Sequence, residues 1–316
     1  MTARTEAIIR SSLLPSALVL GIGSYLIYHY CPSLHFAGPW LRPVITESQR
    51  WVIALLLFLQ FVKISPRDFR FHRWHIAALA IQGLGFLGAA LLAMKLPEGG
   101  MARILAECAM LCLICPTASA AGVITEKLGG SLAHCVAYIM LINAVGTFVI
   151  PTVIPLVRPS AELGFWAYVL RLSLRIFPVL LLPCLLAWTV RFGFPRLQRW
   201  LEGISWYAFY VWGLGLLLAM ILATRALVLS GLGTGIIWAI MAVSAACCAF
   251  QFFAGKHIGK EHWLNATAGQ ALGQKNTGFL IWLGYTYMTP VTAVAGGFYA
   301  IWQNLFNSWQ LYRLGR

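Results

Sequence analysis

The residue best placed to do chemistry is Lys275, which lies in an otherwise apolar stretch between Gln274 and Asn276. An ammonium near the centre of a membrane helix costs about 2.5 to 3.5 kcal/mol on insertion scales, so such a residue usually faces a cavity or a partner on a transport pathway. There it could hold an anion or replace a bound metal ion. Two structural roles stay open: Lys275 could neutralise Glu107, or it could lie at the negative end of a helix dipole.

Amide and hydroxyl side chains accompany this lysine and recur in an earlier apolar stretch. Such groups can bind a carboxylate, a sulfate or water, which makes them candidates for a substrate or ion site. For each of them, a hydrogen bond to a neighbouring helix is the alternative. The set comprises Gln270, Gln274, Asn276 and Thr277 with Lys275, and Thr117, Ser119, Thr125 and Gln82 in the first half of the chain.

The sequence has no pattern that indicates an enzyme or a metal centre. Cys108, Cys112 and Cys115 share a helical face, but no histidine or carboxylate completes a metal shell at the required spacing, so packing explains them. There is no nucleophile elbow, phosphate loop or pair of membrane aspartates, and 9 Asp and Glu residues leave little material for acid–base chemistry. We therefore predict no catalytic residue, no metal and no cofactor.

Composition indicates the kind of element that positions these side chains. The chain of 316 residues is 60% hydrophobic and 10% charged, with a mean hydropathy of +0.79, whereas a soluble domain carries about a quarter charged residues. Ten helices of about 20 residues account for most of its length. We predict an all-α polytopic membrane protein. Its spans are expected at 12–30, 50–64, 74–95, 103–126, 131–157, 164–190, 203–224, 231–255, 264–284 and 289–311.

We interpret the net charge of +14 mainly as an indication of which loops face the cytoplasm. With the N-terminus inside, 14 basic residues fall on the cytoplasmic side, which predicts a multi-pass protein of the cell membrane with both termini in the cytoplasm. The excess charge attracts anionic lipid, and we expect no nucleic-acid partner. The six basic residues on the other side are Arg42, Arg50, Lys95, Arg103, Arg158 and Arg225.

Dividing the ten spans equally gives two halves, 1–158 and 159–316, of opposite orientation, as in inverted-repeat transporters. The fourth span of each half is interrupted by Gly or Pro and small polar residues, at 115–122 and at 267–278. Irregular backbone at membrane depth is tolerated only where it is buried in protein or lines a cavity, so matched breaks indicate a binding site near the midplane. A pair of kinks that serve packing is the alternative.

With these segments in place, the chain resembles the bile acid:sodium symporter family. The matching residues are Cys115-Pro116 through to Thr125, Gly273 with Asn276-Thr277-Gly278, and the final stretch 298–304, where Gln303 replaces the family's histidine; Gln82 looks like the family's third-span glutamine. The resemblance implies two crossing broken helices and adds Asn304 to the candidate site. It also implies a core domain of spans 3–5 and 8–10, a panel domain of spans 1, 2, 6 and 7, and an organic-anion substrate.

The departures from the family pattern fall on its sodium sites. Ala271 stands where the family has Glu, and Lys275 stands where it has Gln. The family's Ser-Asn in the fourth span falls on 121–122, or on 119–120 with a two-residue gap, and neither register keeps the asparagine. Sodium prefers several oxygen ligands with a carboxylate among them, so sodium is not an expected partner.

The sequence thus predicts a secondary transporter that carries an organic anion by alternating access without sodium. The anion would be bile-acid-like, a steroid sulfate or a small carboxylate, and coupling to a proton or to no ion stays open. The alternative is a non-transporting membrane binding or sensor protein on the same scaffold. A membrane enzyme is a third reading, but its catalytic groups would face one interface, whereas the polar residues here cluster at mid-depth.

Overall fold

A computed structural model describes residues 3–260 and 264–314. Within these ranges the chain is almost entirely helical and contains no β-strand, as the sequence predicts. The helices are α1 (Ala3–Tyr30), α2 (Gly38–Val62), α3 (Arg73–Lys95), α4 (Met101–Ile114), α5 (Ala120–Lys127), α6 (Leu132–Val157), α7 (Phe165–Leu180), α8 (Leu182–Gly193), α9 (Pro195–Ile204), α10 (Ala208–Leu229), α11 (Thr234–Gly259), α12 (Asn265–Gly273), α13 (Thr277–Tyr287) and α14 (Thr292–Leu314).

Each of the ten expected segments coincides with one helix or with two consecutive helices. The two expected breaks separate α4 from α5 and α12 from α13. A third break, which the sequence analysis did not anticipate, lies at Leu181, where α7 and α8 are bent by 43°. Pro178 and Pro183 flank this bend, and a proline removes a backbone donor and crowds the preceding turn.

Five helical segments of the described chain are long and apolar enough to cross a bilayer, and the bent pair α7 and α8 makes a sixth. The architecture is therefore that of an all-α membrane protein. Helices α4, α5, α12 and α13 are individually too short to span, since they have between 8 and 14 residues. The arrangement of ten spans stays a prediction.

Apolar side chains on the outside of the helices fit a lipid environment. In α3, Ala78 and Phe86 are completely buried, whereas Ile76, Leu84 and Leu91 on other faces are 71%, 69% and 58% exposed. A soluble protein rarely exposes so much contiguous apolar surface, because water makes it costly. A helix that is apolar both towards the protein and away from it packs against protein on one face and lipid on the other.

The helices around the two expected breaks form one packed group. Helix α11 lies along α12 and also packs against α4 and α14, while α3 packs against α4 and α6. Helix α2 packs against α7, α8 and α10, and α10 against α1. Contacts between these two sets are made by α2 with α13, by α6 with α7, and by α10 with α13 and α14.

A buried carboxylate joins three parts of the chain at one end of the bundle. Glu107 in α4 is completely buried; its Oε1 lies 3.3 Å from Nε of Arg103 and 2.7 Å from Nη2 of Arg158, which follows α6. Thr289, between α13 and α14, donates its hydroxyl to Oε2 at 3.0 Å. Glu107 therefore neutralises these two arginines, and it is not the partner of Lys275 that the sequence left possible.

We expect Glu107→Gln to lower the free energy of unfolding by about 3 kcal/mol, because it leaves the Arg103 and Arg158 guanidinium groups without their shared buried anion. Chemical unfolding of the purified protein in detergent measures this loss. Glu98→Gln is the matched control, since Glu98 pairs with Arg103 from an exposed position. Equal stability of the two variants would show that the buried carboxylate is not needed.

Candidate functional site

The two expected breaks meet each other in space and exchange backbone hydrogen bonds. Ala118 N–H donates to the Gln274 carbonyl at 2.9 Å, and Asn276 N–H donates to the Pro116 carbonyl at 2.8 Å. Thr117 and Lys275 form the antiparallel bridge between these two bonds. We call this junction of residues 115–119 and 274–276 the crossing. It supplies partners for backbone groups that would otherwise be unsatisfied in the interior.

Local sequence explains why the helices stop there. Cys115 precedes Pro116 and has an extended backbone, with φ −48° and ψ 128°, because a residue before proline is disfavoured in the helical region. On the other break, Asn276 starts α13 by accepting a hydrogen bond from Phe279 N–H at 3.2 Å with its side chain. Asn276 therefore has a structural role in addition to any contact with a ligand.

Close helix packing holds α12 in position. A Cβ atom at Gly255 of α11 would lie 2.4 Å from the Ala268 carbonyl oxygen, and one at Gly259 would lie 2.5 Å from the Leu264 carbonyl oxygen. Only glycine fits at this approach. Two glycines four residues apart on one helix are the usual means of bringing membrane helices together.

Gln82 fastens the first break. Its amide nitrogen donates to the carbonyl oxygens of Ile114 at 3.0 Å and Cys115 at 2.9 Å, and its Oε1 accepts from the Tyr138 hydroxyl at 2.7 Å. Gln82 is completely buried with both side-chain polar atoms bonded to protein. It positions the backbone of the break, which agrees with the alternative role that the sequence left open.

The second break is fastened by residues that the sequence analysis did not select. Lys275 N–H donates to Oε1 of Gln303 at 2.8 Å, and the Tyr299 hydroxyl donates to the Gly273 carbonyl at 2.8 Å. Gln251 donates to the Tyr299 hydroxyl at 3.0 Å and to the Cys112 carbonyl at 3.1 Å, so it links both broken helices. The available signal was the presence of glutamines at 251 and 303 within apolar spans.

The side chain of Lys275 lies inside the crossing and is completely buried. Its Nζ has no hydrogen-bond partner in the described part of the chain, and no described carboxylate forms an ion pair with it. Four thiols, of Cys112, Cys115, Cys247 and Cys248, lie near it. Burying an ammonium without an anion is costly.

Helix α2 covers the crossing with two further glutamines. Gln49 is completely buried, and its Nε2 lies 2.8 Å from where a Cβ atom at Gly278 would stand, over the first turn of α13. The amide of Gln60 lies 3.5 Å from the Ser119 carbonyl oxygen. Both Gln49 side-chain polar atoms and Gln60 Oε1 have no hydrogen-bond partner among the described residues. The spacing of 49 and 60 corresponds to about three helical turns and so places them on one face.

The structure brings most of the predicted site residues to the crossing, but not all of them. Gln274 lies within it with Oε1 unpartnered, Thr117 donates its hydroxyl to the Ala271 carbonyl, and Thr277 begins α13. Ser119 lies at the end of the first break and Gln60 approaches its carbonyl. Six predicted residues therefore lie close together, and Gln82 holds the backbone of the first break beside them. The six are Lys275, Gln274, Asn276, Thr277, Thr117 and Ser119.

Three predicted residues have other surroundings. Gln270 lies one turn before the break and donates its amide to Oδ1 of Asn307 at 2.9 Å. Thr125 lies near the end of α5, where its methyl group approaches Gly130. Asn304 donates to the Ala300 carbonyl of its own helix at 2.7 Å, and the neighbouring Gln303 contacts the crossing instead.

We expect Gln82→Leu to destabilise the protein by about 2 to 4 kcal/mol, because two carbonyl groups and the Tyr138 hydroxyl lose their buried partner together. Thermal and chemical unfolding in detergent measure the effect. Tyr138→Phe is the control that removes only one of these bonds, and it should cost about 1 kcal/mol. If Gln82→Leu were no more harmful than Tyr138→Phe, the glutamine would not be what holds the first break.

Comparison with known proteins adds no assignment. No model of a known protein family matches this chain, and no curated protein matches it either. The resemblance to the bile acid:sodium symporters therefore rests on the short motifs of the sequence.

Proposed function

We propose that this protein is a secondary transporter of an organic anion that works by alternating access and without sodium. The observation that carries the proposal is the completely buried Nζ of Lys275, which has no carboxylate partner in the described chain and lies where two broken helices meet. In this proposal the chain has ten spans in two inverted halves, residues 1–158 and 159–316. It would be a divergent relative of the bile acid:sodium symporters.

The position of the two breaks supports the transporter architecture. Each predicted half contributes one broken helix to the crossing. The irregular segments of these two helices pair antiparallel through Thr117 and Lys275. Discontinuous helices that meet at a repeat interface are how many secondary transporters build a site at the bilayer midplane. Packing of α3 to α6 with α11 to α14 agrees with the proposed core domain.

Helix dipoles at the crossing favour both a fixed cation and a bound anion. Lys275 follows the C-terminal end of α12, whose carbonyl groups stabilise a positive charge. It also precedes the N-terminal end of α13, whose N–H groups attract a negative charge. The positive charge of the ammonium would thus take the role that a bound sodium ion has in the bile acid:sodium symporters. An anionic group on the substrate would complete the charge balance of Lys275.

In this proposal α2 moves away from the crossing during transport. Gln60 of this helix lies at one end of the crossing, at Ser119, and Gln49 lies over Gly278, in the first turn of α13. Their unpartnered amide atoms would offer hydrogen bonds to a substrate once the helix separates. A relative movement of the set containing α2 against the set containing the crossing is the form of alternating access that we propose.

Lys275→Ala should lower uptake at least about tenfold, because an ion-paired hydrogen bond to a buried charge contributes about 1.5 to 3 kcal/mol. Uptake of a bile acid, a steroid sulfate and pantothenate into proteoliposomes is the measurement, with each probe tested separately. Lys127→Ala replaces an exposed lysine at the end of α5 and should leave uptake unchanged. Wild-type uptake by the Lys275→Ala variant would remove the lysine from the mechanism.

Uptake of the transported probe should be the same with and without a sodium gradient, since neither Ala271 nor Lys275 offers sodium an oxygen ligand from its side chain. Replacing external sodium with choline tests this, and a strong loss of uptake in choline would contradict the proposal.

Counterflow separates a carrier from the alternative of a binding or sensor protein. Vesicles loaded with unlabelled probe should accumulate labelled probe transiently, because a carrier exchanges solute across the membrane. Binding to the purified protein without any counterflow would instead support the sensor.

A further inference from the structure

A cavity separate from the crossing lies among the ends of α1, α2, α10 and α13. It has a volume of about 250 Å³, and its walls are largely apolar. Tyr25, Tyr28 and Tyr285 line it together with two arginines, Arg42 and Arg225. Tyrosine rings at helix ends are typical of the membrane–water interface, where one side of a ligand meets lipid and the other meets water.

The two arginines line the same cavity, and neither has a carboxylate partner among the described residues. The Arg225 guanidinium lies 5.6 Å from the centre of the Tyr285 ring. The Tyr28 hydroxyl packs over Gly38 beside Arg42, since a Cβ atom at Gly38 would stand 2.2 Å from the hydroxyl and 3.7 Å from Arg42 Nη2. No described carboxylate forms a salt bridge with either arginine.

The other arginines on the same predicted side of the membrane each have a carboxylate partner. Arg50 pairs with Glu47 at 2.7 Å, while Arg103 and Arg158 share Glu107. Arg42 and Arg225 are thus the two that converge on an apolar cavity and leave their charge uncompensated by the described residues. Like charges brought together at the rim of an apolar pocket favour an anion with an apolar body.

We propose that this cavity binds an amphipathic anion, whose apolar part fills the space between α1, α2, α10 and α13 and whose phosphate, sulfate or carboxylate lies between Arg42 and Arg225. Two sources share this chemistry: an anionic phospholipid of the bilayer and a soluble organic anion. The inference does not depend on the proposed transport activity, because none of the crossing residues lines this cavity.

Ligand-induced thermal stabilisation of the purified protein tests the site. The probes are phosphatidylglycerol, its zwitterionic counterpart phosphatidylcholine, and a steroid sulfate, each titrated in mixed micelles. At least one of the two anions should stabilise the wild type, and Arg42→Gln with Arg225→Gln should weaken that anion's apparent affinity about tenfold or more. The control is Arg171→Gln with Arg196→Gln, two exposed arginines outside the cavity, which should bind as the wild type does.

A second variant keeps both arginines and fills the cavity. Ser24 lies on its exposed rim, so Ser24→Phe should block the apolar part of the ligand and weaken binding to a similar degree. This variant decides the matter if the double arginine variant does not fold.

The anion that stabilises the wild type identifies the source of the ligand. Equal stabilisation by phosphatidylcholine, no stabilisation by either anion, or undiminished affinity in the arginine and Ser24 variants would overturn the inference. Loss of steroid sulfate binding in Lys275→Ala but not in the double arginine variant would place that ligand at the crossing instead.

Discussion

The rest of this structure depends on the backbone hydrogen bonds between two broken helices, α4–α5 and α12–α13. A bilayer interior offers no water, so an interrupted helix must find protein partners for its free N–H and C=O groups. Here each break supplies the other, through Ala118 to Gln274 and Asn276 to Pro116. Gln82 and Tyr299 then satisfy further carbonyl groups on either side. The two breaks are therefore held to each other through their backbones.

The buried charges near the broken helices differ in whether a partner of opposite charge lies beside them. At one end of the bundle, the carboxylate of Glu107 forms ion pairs with both Arg103 and Arg158. Lys275 has no such partner in the described part of the chain and lies near four thiols and between two helix ends. The low dielectric that makes an isolated charge costly also strengthens its attraction for an incoming anion. The helix α13 begins beside this lysine and ends near the cavity that holds Arg42 and Arg225.

Much of the helical pattern could be predicted because it follows from local properties. Long apolar segments indicate membrane helices. Pro116, and the glycines and polar residues around 267–278, indicate where two of these helices are interrupted. A lysine in an apolar stretch is conspicuous because placing its charge in a membrane costs free energy. Less could be predicted where several residues look alike in sequence. Gln82 and Gln303 are both glutamines in apolar spans, yet only their neighbours reveal that both hold the backbone of the crossing. The bend at Leu181 lies between two prolines that membrane helices often accommodate without a break.

The sequence by itself determined the all-α membrane character, the positions of two interrupted helices and the presence of one lysine within them, because these depend on composition and on neighbours along the chain. Only the tertiary structure decided that the interruptions pair with each other and that α2 brings Gln49 and Gln60 over them. It also decided that Glu107 pairs with two arginines, whereas Nζ of Lys275 has no partner among the residues that the structure describes. Such pairings join residues far apart in the chain, and their partners are set by packing between helices, which local sequence does not encode.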